Sequence, residues 1–182
     1  NIVGASAMLL EKELVTPEQI ALAIKDFSGL ARRLDRKTTR SSIPAYEGFG
    51  SSREKLQSAI KALKARYGDK RLVVIFEPHT FSWRNKKMLH WFDTAFEGAS
   101  LVLLYKHEAQ GAETHQESTQ KEMVQRLSAA GMTVKAVAKP DEAMNTLSSD
   151  CRAGDVILIS SSGGMDGLIE RIPSWLDEKF GA

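Results

Sequence analysis

At 182 residues, with 42% hydrophobic and 26% charged residues, the chain has the size and make-up of one soluble globular domain with a short appendage. A formal net charge of +2 with no long block of like charges gives no electrostatic case for nucleic acid, and no apolar run approaches the roughly 18 residues that cross a membrane. The lone cysteine, Cys151, excludes an internal disulfide framework and suits a reducing, cytoplasmic compartment; at a predicted helix end with no histidine nearby, it is a packing residue rather than a nucleophile.

The chain has no initiator Met and opens mid-pattern, so it reads as a fragment. Asn1 to Glu13 puts Val3, Ala7, Leu9 and Leu10 on a helix-like face and looks like the last helix of something upstream. Thr16-Pro17-Glu18-Gln19 starts a second helix: Thr16 can cap it, Pro17 suits its first position, and Gln19 can complete a capping box. Ile20, Ala23, Ile24 and Phe27 fall on its apolar face, and Gly29 ends it. Arg32 to Lys37 is a basic segment open to an extended conformation, and Ser41-Ser42-Ile43-Pro44 is a turn. Residues 1–40 thus read as the end of one domain plus an interdomain connection, and 41–182 as the next domain.

From Ala45 a strand–helix unit repeats. Ala45 to Phe49 is a short strand, and Ser51-Ser52-Arg53-Glu54 caps a helix reaching Arg66. Leu72 to Phe76 is a buried strand, followed by a predicted helix from Asn85 to Phe96. Leu101 to Tyr105 is another buried strand; a polar loop from Lys106 to His115 leads to a helix ending near Gly131. Thr133 to Val137 alternates as a half-covered or edge strand does. Pro140 opens a helix, Asp155 to Ile159 is a third buried strand, and Ser160 to Asp166 turns into a last helix carrying Leu168, Ile169, Ile172, Trp175 and Leu176 on one face. This alternation predicts a Rossmann-like α/β fold, a mostly parallel sheet with helices on both faces joined by right-handed crossovers.

In such a sheet the carboxyl ends of the strands form the ligand crevice. Two loops there carry chemistry. The run Leu72–Phe76 stops at Glu77-Pro78, and His79, Thr80, Ser82 and Arg84 follow at once. Ser160-Ser161-Ser162-Gly163-Gly164 follows a buried strand, where hydroxyls and backbone N–H groups at a helix start can hold an anion or a carbonyl; a tight turn that needs glycine explains it equally well. It is neither a dinucleotide fingerprint nor a phosphate loop, and no Gly-Lys pair occurs in the chain. His79, His90, His107 and His115 share no metal-ligand spacing: His107 and His115 suit a solvated loop, and His90, beside Trp91 and Phe92, suits packing. Glu77 and Asp166 are well placed carboxylates at element ends.

Several segments together resemble the Mur ligases, which build peptidoglycan precursors with ATP. Gly29-Leu30-Ala31-Arg32-Arg33-Leu34-Asp35 resembles the segment joining their central and C-terminal domains, and Asn1-Ile2-Val3-Gly4-Ala5 the end of their central-domain helix. Phe76-Glu77-Pro78-His79 is similar to the strand-end motif of the muramate–L-alanine ligases and the murein-tripeptide recycling ligases. Gly154 to Leu158 followed by Ser162 to Leu168 is most similar to the recycling branch.

The resemblance implies a C-terminal domain that closes over an ATP-binding central domain and presents the acceptor amine to an acyl phosphate. The reaction joins a murein peptide or amino acid to UDP-N-acetylmuramate, using ATP and Mg2+ in the full-length enzyme, while this fragment alone is expected to be inactive. By the same resemblance Arg33 and Glu47 would contact ATP. The acceptor side would use Ser51, Ser52, His79, Thr80, Ser82, Arg84, Ser161, Ser162, Gly163 and Gly164. No metal ligand, nucleic acid or membrane is expected.

The chain departs from the family pattern at Glu47-Gly48-Phe49-Gly50-Ser51-Ser52-Arg53, where members usually carry an Asp-Asp-Tyr-x-His-His-Pro-like motif. Thr80 stands where the alanine-adding branch has an arginine after its Pro-His, and Trp83 replaces a second family arginine, with Arg84 adjacent. A peptide acceptor therefore fits better than free L-alanine. The alternative is a non-catalytic binding module derived from such a ligase.

Overall fold

The computed structural model describes residues 2–107 and 116–181. The chain divides into two compact units, one up to Leu30 and one from Ala31 onward. The first holds helices α1 (Ile2–Glu11) and α2 (Pro17–Asp26). The predicted capping box is present: the Thr16 hydroxyl accepts the Gln19 N–H, and the Gln19 side chain accepts the Thr16 N–H. Neither helix buries a residue, and Val3 and Leu14 are 81% and 69% exposed.

The second unit is built on β1 (Arg33–Arg36), β2 (Ala45–Gly48), β3 (Leu72–Phe76), β4 (Leu101–Tyr105), β5 (Val134–Val137) and β6 (Val156–Ser160). Among the described residues they form one six-stranded sheet in the order β1-β2-β6-β3-β4-β5. β1 is antiparallel to β2, and all other pairings are parallel. The basic segment after Gly29 is thus an edge strand of this unit, with a bulge between Arg33 and Asp35.

Side chains alternate cleanly between the two faces. Ala45, Val73, Ile75, Leu103, Ile157 and Ile159 pack under α6 (Pro140–Asp150) and α7 (Leu168–Lys179). Tyr46, Val74, Phe76, Leu104 and Leu158 pack under α3 (Arg53–Tyr67) and α5 (Gln120–Ala129). β3, β4 and β6 are buried along their whole length, which explains their unbroken apolar runs; each such side chain contributes about 1.5–3 kcal/mol. β5, with only Val137 buried, is the other edge.

One predicted element changes. In place of a helix over Asn85–Phe96 there is a single turn, α4 (Phe81–Arg84), then a 3-10 segment Lys86–Asp93. Asn85 is extended, its side chain accepts the Lys87 N–H, and its backbone bridges to Glu117. This local bond competes with helix continuation. The break lets Trp83, Phe92 and Phe96 all reach Phe76, with ring centroids 4.8–6.5 Å apart. Packing of four aromatic rings outweighs the regular helix.

Candidate functional site

Parallel register sets the site. Gly48, Ser160 and Phe76 stand side by side at the carboxyl ends of β2, β6 and β3, so three loops leave the sheet at one level. The β6 loop lies between the other two and is bonded to both. The Ser161 hydroxyl donates to Glu77 Oε2, and Ser162 Oγ lies 3.3 Å from His79 Nδ1. Glu77 and Ser161 are buried, so this bond is sheltered from water.

Two glycines make the close approach possible. A Cβ on Gly163 would sit 2.8 Å from His79 Nε2 and closer still to Cδ2. A Cβ on Gly50 would run into Ser160 Oγ. Gly50 also offers its carbonyl to the Trp83 indole N–H at 2.8 Å, and Thr80 Oγ1 donates to the Ser51 carbonyl at 3.2 Å, closing the β2 loop onto the β3 loop. The loops that carry His79, Ser51 and Ser160–Gly164 therefore leave one edge of the sheet and are bonded to one another.

The β1–β2 side is fastened by a residue to which the sequence assigned no separate role. Arg32 Nε donates to Glu47 Oε1 at 2.6 Å, and its Nη2 donates to the carbonyls of Gly163 at 3.0 Å and Ser161 at 3.3 Å. The guanidinium lies 5.0 Å from the Phe49 ring centroid, and Lys55 Nζ 5.4 Å from the same ring. Beside them is an open cavity of about 380 Å3 lined by Arg32, Arg33, Leu34, Gly48, Phe49, Glu54, Lys55, Ser58 and Ala59. Its lining carries three cations and one carboxylate, Glu54; Arg32 is already paired with Glu47, which leaves Arg33 and Lys55 as the groups for an anion. Arg33 is exposed there with no ion-pair partner among the described residues.

Other predicted residues are placed differently. Glu47 is 4% exposed; Arg32 takes one of its oxygens and Lys37 Nζ stands 3.4 Å from the other, as a buried carboxylate requires. Ser52 spends its hydroxyl on capping α3, and the Ser51 hydroxyl accepts from Lys55 Nζ at 2.7 Å. Ser82 is half-buried on α4. Arg84, expected in the crevice, does not enter it: it is buried and pairs with Glu117 at 3.0 Å. Arg84 closes the single turn of α4 rather than standing in the loop that carries His79.

The Ser160–Gly164 loop does not lead straight into a helix. Met165 and Asp166, both left-handed with φ of 49° and 48°, form a 3-10 turn to Gly167 before α7 begins. The Gly163 N–H is already used by Ser161 Oγ at 2.8 Å. Gly163 is needed for its lack of a side chain, and Gly164 faces open space. Asp166 accepts a 2.7 Å bond from the Tyr105 hydroxyl; burial, then that bond, raises the Tyr105 pKa. Asp166, Lys106, Glu77 and His79 line a second cavity of about 310 Å3 on the β4 side of the crevice.

Among the remaining histidines, His90 is exposed rather than packed, with Nδ1 3.0 Å from the Lys87 carbonyl. The His107 side chain is 10% exposed rather than solvated; burial lowers its pKa, partly offset by Glu117. His115 lies outside the described residues, as does Asn1 of the first family-like segment. Cys151 caps the end of α6, where burial pushes its thiol up to about 11, so it stays protonated and packs as predicted. No group of three or more His, Cys, Asp or Glu residues gathers among the described residues in a way that could hold a metal ion. No helix among them is long and apolar enough to cross a membrane.

Comparison with known proteins adds a family. A family model described as "Mur ligase, glutamate ligase domain" matches residues 32–163. The UDP-N-acetylmuramate–L-alanine ligase of Ruthia magnifica is 27% identical over 181 residues, covering 96% of this chain and 38% of that protein. The solved UDP-N-acetylmuramate–alanine ligase of Thermotoga maritima superimposes with a TM-score of 0.70 at 18% identity, over 92% of this chain and 36% of that one. A murein peptide ligase from Psychrobacter arcticus gives 0.68 at 19% identity, over 86% and 32%. At these identities the two structures speak for the fold. The chain spans about a third of the length of these relatives.

Proposed function

Because the chain belongs to the Mur ligase family, we propose that it is the C-terminal domain of an ATP-dependent ligase that joins a murein peptide or an amino acid to UDP-N-acetylmuramate. In this reading residues 1–40 are the end of the ATP-binding central domain and the connection to it, and 41–182 are the acceptor domain. Because the compact unit begins at Ala31, the connection itself folds into the sheet edge as β1.

One observation carries the proposal: three loops from neighbouring strand ends are bonded into a single crevice with a cationic cavity beside it. In this reading the crevice contributes to rate by holding the acceptor amine in place against an acyl phosphate made elsewhere. His79, Thr80, Ser162 and the rim of Ser51 are the acceptor-facing groups. Asp166 and Lys106 extend that surface with one charge of each sign, which suits a peptide bearing both ammonium and carboxylate groups. ATP supplies the activating phosphoryl group. On this chain Arg33 would face its phosphates, where a planar guanidinium neutralises charge through forked hydrogen bonds. Arg33 and Lys55 in that cavity would meet phosphate oxygens, while Glu54 is its one carboxylate, too few for the oxygen ligands Mg2+ takes, so most of those would come from substrate, water or other residues.

A second reading, a non-catalytic binding module, draws on the exchange of the family's acidic and histidine motif for Glu47 to Arg53 and on the internal pairing of Glu47. The two part in one assay. The full-length protein should release ADP in a manner dependent on both UDP-N-acetylmuramate and an acceptor. The L-Ala-γ-D-Glu-meso-diaminopimelate tripeptide should be used in preference to L-alanine. Absence of acceptor-dependent ADP release with either compound would leave the module.

A further inference from the structure

Building on the ligase reading, we propose that Arg32 is a positioning residue: its guanidinium shapes the acceptor-side loop at Ser161–Gly163 and ties that loop to the strand that presents Arg33. Three chain segments meet on this one side chain. Nε is bonded to Glu47 at the end of β2, and Nη2 to two carbonyls of the β6 loop, 129 and 131 positions away in sequence. Only a planar fork reaches a carboxylate and two carbonyls at once; a lysine ammonium cannot.

The bonds decide which way the loop faces. With the carbonyls of Ser161 and Gly163 turned to Arg32, the Ser161 and Ser162 hydroxyls are left to Glu77 and His79 on the acceptor side. Loss of the guanidinium would free those carbonyls to rotate, and the hydroxyl–His79 contact would go with them.

The backbone carries a second, independent sign. Arg32 and Leu34 are both left-handed, with φ of 62° and 53°, on either side of Arg33, and the β1–β2 register slips between Arg33 and Asp35. Non-glycine residues hold such conformations only where the surroundings over-determine them. Here the over-determination is the Arg32 clamp and its stacking on Phe49. The kinked backbone turns successive arginines to different tasks, Arg32 to the β6 loop and Arg33 to the cationic cavity. Arg32 thus joins the strand that presents Arg33 to the acceptor-side loop through a single side chain.

The test uses Arg32→Lys, which keeps a cation beside Glu47 but cannot fork to the carbonyls, with Glu47→Gln as a second variant that keeps the side-chain volume. In the 182-residue chain, the His79 ring signals and the amide exchange of Ser161–Gly163 should change in Arg32→Lys while the circular dichroism spectrum does not. In the full-length ligase, Arg32→Lys should raise the acceptor KM about tenfold and leave the ATP KM within about twofold, and Glu47→Gln should raise the acceptor KM by less, again with the ATP KM within about twofold. Unchanged His79 signals, or an ATP KM that moves as far as the acceptor KM, would overturn the proposal. If the full-length protein performs no ligation, the ligase reading fails, and the His79 and amide-exchange measurements still decide whether Arg32 shapes the loop.

Discussion

Gly163→Ala probes the crevice most directly. The added Cβ starts 2.8 Å from His79 Nε2, whereas ordinary contact begins at 3.4 Å, so the ring must swing aside. Because a side chain yields rather than backbone, the overpacking cost falls in the lower half of the usual range, and the retreat also gives up the His79–Ser162 contact. Together these set a loss of about 1–2 kcal/mol, or about 3–6 °C in Tm for a unit of this size. Urea and thermal unfolding of four chains form the assay: wild type, Gly163→Ala, His79→Ala and the double variant. With the ring removed there is nothing to strike, so the alanine should cost less than about 0.5 kcal/mol in the His79→Ala background. In the full-length ligase, Gly163→Ala should impair acceptor use. An equal cost in both backgrounds would refute the packing of loop on ring, and with it the single crevice.

Three further outcomes are expected. Asp177 accepts the backbone N–H groups of Thr39, Arg40 and Ser41 and the Thr39 hydroxyl; lost hydration raises its pKa, but these bonds outweigh it and hold the carboxyl well below its usual 3.8. Asp177→Asn should cost about 1–2 kcal/mol, the cap-like value discounted for exposure to solvent. Because the folded-state pKa is depressed, that gap should be full above pH 5 and close as the pH falls below about 4, and a gap constant into acid would refute it. Arg84→Met should lower stability by about 1–3 kcal/mol by removing the buried guanidinium's 3.0 Å pair with Glu117, while acceptor KM stays unchanged; a raised acceptor KM would return Arg84 to the crevice. Arg33→Ala in the full-length ligase should cost about tenfold to hundredfold in kcat/KM for ATP, and an unchanged value would make Arg33 a solvated residue.

Elements buried on both faces were legible, because β3, β4 and β6 write their environment as continuous apolar runs. The strand-end loops followed from the parallel sheet, and His79 and Ser162 meet as the topology requires. The helix over Asn85–Phe96 was not legible, since the deciding contacts run from Trp83 and Phe92 to Phe76, a different element. Arg32 was hidden for a similar reason. Its neighbour carries the same charge, and only the left-handed backbone and partners more than a hundred positions away separate their tasks. Arg84 and His107 also took their burial from tertiary packing that no local spacing records.

The two outer strands have a consequence for how the molecule behaves in company. A sheet edge is an open row of donors and acceptors, ready to pair with another chain. Here one edge, β1, is kinked by left-handed Leu34 within it and Arg32 just before it, and is studded with Arg33, Asp35 and Arg36. The other, β5, carries Lys135, ion-paired to Asp150. A second copy approaching either rim in register would meet a bent backbone or have to desolvate a charge. The same kink that separates Arg33 from Arg32 therefore makes β1 a poor template for a further strand.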